Sequence, residues 1–217
     1  MTDSRTRLVG AASVASLALA VLLGLALDPT VRILPVRARL SDLGRPGGAG
    51  AFPFDYGLVL AGLLGLVAVS VWWGAASDRH GRVTTALAGV AFAGLGLAGL
   101  FPAPSVAHLP ALAAAYLAGW TAPLVDGLRL WRAAASAGDR SRTGLLFVGG
   151  AAFVAVLWVV RALVAATFLL SDPTSALLLA ELATLALFAG WVLFRAGVGH
   201  TAVARTASDG GLSAGGR

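Results

Sequence analysis

The chain has 217 residues, 58% hydrophobic and 12% charged, and no cysteine. Soluble domains carry about 25% charged residues, so this composition, with mean hydropathy +0.86, excludes a soluble globular protein and implies an integral membrane protein. The net charge of +6 comes from 16 arginines without a lysine, set in short segments between apolar runs, which points to membrane topology and anionic headgroups and away from nucleic acid.

A bilayer core of about 30 Å takes about 20 apolar residues of helix, and six segments meet or approach that length. The first, 8–27, exceeds the roughly 7–15 residues of a signal-peptide core and is read as a retained anchor ending before Asp28 and Pro29. A polar outer loop, 28–55, follows. It contains "LSDLG" (Leu40 to Gly44), whose Ser41 and Asp42 are good N-cap residues for a short interfacial turn. Phe52, Phe54 and Tyr56 are expected at the membrane interface, the depth that amphipathic rings prefer. The second span, 56–76, ends in Trp72 and Trp73 at the opposite interface. The third, 84–101, is Gly-rich; Gly89/Ala93 and Gly94/Ala98 permit close helix approach, read as packing within the bundle ahead of an oligomer interface.

His108 precedes the fourth span, 109–127. Pro123 is expected to kink it, and Asp126 to offset Arg129 at the interface. The fifth span, 145–170, contains Arg161, and the sixth, 175–196, contains Glu181. The short "SDPT" connector makes these two an antiparallel hairpin. At 1.5 Å per residue both charges fall roughly 9–14 Å below the outer boundary. A lone charge there costs at least ~2.5 kcal/mol, so an Arg161–Glu181 pair is the natural expectation. The polar, Gly-rich segment 198–217 is expected to be a flexible tail.

An inside amino terminus puts eleven arginines in inner segments and four, Arg32, Arg37, Arg39 and Arg45, in the outer loop. That imbalance places both termini in the cytoplasm. The predicted fold is all-α, a bundle of six transmembrane helices in one domain.

For function the sequence leaves three classes open. The leading one is a non-enzymatic protein that binds a lipid or a membrane partner through its outer face, using Ser41, Asp42, Arg45 and His108 with Arg161 and Glu181 beneath. The second is a small-solute or ion transporter built on Arg161 and Glu181. The third is a membrane-embedded hydrolase using His108 with an aspartate such as Asp42 or Asp55. No cofactor or metal is expected: His80, His108 and His200 form no ligand pair, and no nucleotide-binding loop or nucleophile elbow is present. The partners expected are membrane lipids, a membrane protein or a second copy of the chain.

"LSDLG" followed by "AFPFDYGLVLAGLLGL", and then "GLGLAGLFPAPSVAHLPALAAAYLAG" with Gly99, Phe101, Pro102 and His108, resembles two blocks of domain-of-unknown-function family 998. The resemblance covers residues from about 35 to 120 and, beyond them, the six-helix layout. It implies a prokaryotic membrane protein without an established activity. The loop is also similar to a stretch of the Frag1/DRAM/Sfk1 group, which is linked with lipid biology and implies a lipid partner.

Overall fold

The computed structural model describes residues 4–28, 39–136, 141–167 and 177–197. The tail 198–217 and most of the first part of the outer loop, with Arg32 and Arg37, lie outside the described residues. The regular elements are all helical: α1 (Ser4–Leu27), a five-residue 3-10 turn (Leu40–Gly44), α2 (Ala51–Ala75), α3 (Arg79–Leu100), α4 (His108–Ser136), α5 (Arg142–Thr167) and α6 (Leu177–Arg195). The outer loop is shorter than expected, because α2 begins at Ala51 and carries the aromatic cluster inside its first two turns.

Five helices are long and apolar enough to cross a membrane; α4 is not among them. The reason is its polar complement. His108, Tyr116 and Asp126 lower its mean hydropathy, yet all three are buried, because α4 packs on α3, α5 and α6. A helix enclosed by its neighbours can carry polar groups that a lipid-facing helix cannot. It runs unbroken through Pro123.

α2 lies between α1 and α3, and α6 returns to α1. Thus α1, α2, α3, α4 and α6 close a ring, with α5 leaning on α4 and α6. Two glycines of the central helices set the spacing. A Cβ on Gly62 would come within 2.7 Å of the Phe92 carbonyl and the Gly96 nitrogen; on Gly94 it would lie 2.6 Å from the Ala111 carbonyl. Gly94 and the buried Ala98 therefore serve packing within the chain, as small residues do where backbones approach closely.

The middle of the ring is filled by aromatic side chains. Phe92 meets Phe188 with ring centroids 5.0 Å apart, Phe188 stacks on Trp191 at 5.9 Å, and Trp191 meets Trp72 edge-on at 6.0 Å. Two interfacial expectations are corrected here. Trp72 is buried against Trp191 and only Trp73 is exposed; likewise Phe54 points inward while Phe52 and Tyr56 remain outside. Helical geometry separates neighbouring side chains by about 100°, so adjacent aromatics cannot all share the lipid interface.

Asp126 is also corrected. It does not offset Arg129, which pairs with Asp78 at 2.6 Å. Asp126 is 4% exposed, accepts the Trp191 indole N–H at 3.0 Å and faces Arg195 at 3.5 Å. Arg195 lies over the rings of Trp72 and Trp191 and donates to Thr85. This network ties α3, α4 and α6 together at the end of the bundle where α1 begins and α6 ends, the two meeting at Gly10 and Ala196.

Candidate functional site

At the other end, the "LSDLG" turn is set into the bundle. Leu40 and Leu43 are almost fully buried, and Leu43 lies against Gly24 of α1. The two buried leucines, three residues apart and flanking Ser41 and Asp42, anchor the turn by its apolar side and turn its polar side toward a cavity. Ser41 and Asp42 are not the N-cap. Arg39 holds that position, and Asp42 reaches back to accept its backbone N–H at 2.8 Å. The other Asp42 oxygen takes Arg45 at 2.8 Å.

Glu181 is the anchor beneath. Its carboxylate is 4% exposed and accepts the Leu40 N–H at 2.6 Å, joining residues 141 positions apart. The expected Arg161–Glu181 pair is not formed: among the described residues no carboxylate lies within 4.0 Å of Arg161. Its guanidinium carbon sits 5.2 Å from the centre of the Trp158 ring, and its Nε has no hydrogen-bond partner. The competing partner was invisible in the sequence, since a backbone N–H in a distant loop leaves no charge pattern.

His108 joins two helices. Its Nδ1 faces the carbonyl oxygens of Phe101 at 2.9 Å and Ala98 at 3.2 Å, which identifies it as the protonated nitrogen. Its Nε2 has no hydrogen-bond partner, so neither ring nitrogen is bonded to a carboxylate. Asp55 stands behind the turn, against Gly44.

The turn, α4, α5 and α6 together surround a cavity of about 1070 Å³. Ser41, Asp42, Arg45, His108, Arg161 and Glu181 all line it, so the fold gathers all six sequence-derived candidates around one space. Sequence reasoning missed Arg39, Tyr116, Trp120 and Trp158, which line it too. One signal for Trp158 existed, its position three residues before Arg161 on the same helix face.

The lining is graded. Arginines, acids, His108 and Ser105 occupy the turn end. Leu112, Tyr116, Leu117, Trp120 and Ala155 continue along α4 and α5. Leu109 and Leu117 are both lining residues and strongly exposed, at 74% and 66%, so the wall runs out onto the apolar surface of the bundle. The deep end is tied by the Trp120 indole donating to the Ala151 carbonyl at 2.8 Å. Comparison with protein-family models, curated proteins and solved structures gave no match.

Proposed function

We propose that this multi-pass membrane protein binds a lipid in the cavity under its outer turn, with both termini in the cytoplasm. The observation that carries the reading is the cavity's gradient: charged and polar groups at the turn end, and an apolar wall along α4 and α5 that opens to the bundle surface at Leu117. That order matches an amphiphile held with its headgroup at the turn and its chain along α4. At about 1070 Å³ the space lies at the upper edge of the range for sites that enclose most of a small ligand.

The stacked Phe92, Phe188, Trp191 and Trp72 fill the bundle below, which favours binding over passage. His108 lacks a carboxylate partner, which removes the usual means of orienting a general base. The arginines of the α2–α3 and α4–α5 junctions, Arg79, Arg82, Arg129, Arg132 and Arg142, sit at the end shared by the termini, and this distribution supports the cytoplasmic orientation.

Lipid extracted from purified protein and identified by mass spectrometry tests the reading. A bound lipid is expected in the wild type and a reduced amount in Ala155→Trp, whose indole narrows the apolar end of the cavity. A lipid-free wild type, or unchanged lipid in that variant, would refute it.

A further inference from the structure

The charges around the cavity do not cancel in place. Three guanidiniums, Arg39, Arg45 and Arg161, face two carboxylates, Asp42 and Glu181. Both carboxylates are already engaged. Asp42 spends one oxygen on Arg45 and the other on the Arg39 backbone N–H, while Glu181 receives the Leu40 N–H. Among the described residues, neither the Arg39 nor the Arg161 guanidinium has a carboxylate within 4.0 Å, and each Nε is buried without an acceptor. Both guanidiniums line the same cavity, where one anion can accept from the two of them. Arg161 is moreover held against Trp158, which limits the orientations its planar fork can take.

From this we infer that the cavity is selective for a lipid phosphomonoester, whose headgroup is taken by Arg161 and Arg39. The inference rests on the lipid-binding reading above and adds the headgroup chemistry. Two guanidiniums without a carboxylate partner, set against the single Glu181 carboxylate, present several donors in fixed forks. A phosphomonoester carries about −1.5 to −2 charges and three acceptor oxygens, enough for both forks. A phosphodiester offers two free oxygens in place of three, and a zwitterionic headgroup adds a cation that Arg39 and Arg161 would repel. The exposed Leu109 and Leu117 give the attached chain an exit into the bilayer, which a free anion would not need.

Native mass spectrometry of the full chain with phosphatidic acid, phosphatidylglycerol and phosphatidylcholine of identical acyl chains tests this. The expected result is phosphatidic acid over phosphatidylcholine by about tenfold or more, a difference within reach of one charge-assisted contact, with phosphatidylglycerol bound more weakly than phosphatidic acid. Arg161→Gln should reduce that preference below about threefold while phosphatidylcholine still binds, and Arg161→Lys should fall between. Arg39→Gln, on the turn and outside the helices, repeats the test should Arg161→Gln fold poorly.

Phosphatidylglycerol or phosphatidylcholine bound as well as phosphatidic acid by the wild type, or a preference unchanged in both glutamine variants, would overturn the inference and leave the lipid reading standing. Absence of all lipid binding would defeat both. Binding of inorganic phosphate without a preference for phosphatidic acid would overturn the amphiphile assignment.

Discussion

Replacing Glu181 by alanine separates two effects that the structure places on one side chain. The carboxylate holds the Leu40 N–H at 2.6 Å in a buried site, a charge-assisted bond worth about 1.5–3 kcal/mol. At about 1.4 kcal/mol per factor of ten, its loss should speed exchange of the turn's amides by roughly 10- to 150-fold. The same substitution removes a buried charge whose insertion costs about 2.5–3.5 kcal/mol. For the whole bundle the two terms oppose and cancel to within about 2 kcal/mol. Hydrogen–deuterium exchange on protein in nanodiscs should therefore show deprotection confined to Leu40–Arg45, with the melting temperature nearly unchanged. Glu181→Gln, which keeps an acceptor oxygen, should show the smaller part of the effect. Unaltered exchange at the turn, or a collapse of global stability without local deprotection, would refute the assignment of Glu181 as the turn's anchor.

At the opposite end, Asp126→Ala leaves Arg195 without its counter-ion and Trp191 without its acceptor. Breaking such a pair costs about 3–5 kcal/mol, with the lower end expected because Arg195 keeps its contacts with Trp72 and Trp191; thermal melts in detergent should recover most of the loss in Asp126→Ala/Arg195→Met. Asp78 caps α3 through the Gly81 N–H at 2.6 Å, and that bond, with Arg129, holds its carboxylate below the ordinary 3.8. A folded value below the unfolded one makes the contribution present above about 3.8 and lost as pH falls through the lower folded value. Melting temperature followed downward from neutral pH should show this acid limb in the wild type and a flatter one in Asp78→Asn.

Much of the architecture was written in composition and spacing. Apolar runs near 20 residues, interrupted by arginine, define helices whose length must match the bilayer whatever their neighbours do. The candidates Ser41, Asp42, Arg45, His108, Arg161 and Glu181 were legible for a related reason: polar residues at the margins of apolar runs, or inside them, are costly and stand out. Neighbour identity was not legible. Asp126 lies three residues from Arg129 yet pairs with Arg195, and Glu181 passes over a cation on the adjoining helix for the amide of Leu40. Local proximity in sequence does not set which way a side chain turns once helices cross.

What required the tertiary structure is the placing of opposite faces of one helix. Phe54 goes inward beside outward-facing Phe52 and Tyr56, and Trp72 inward beside Trp73. Hydropathy measures how much of a segment avoids water, and in a bilayer lipid and protein interior are equally apolar. The order and length of the helices thus follow from the chain's transfer energy. The enclosure of α4, the seating of the "LSDLG" turn and the cavity beneath it follow from packing, where glycine contacts and hydrogen bonds between distant residues choose among faces that composition leaves equivalent.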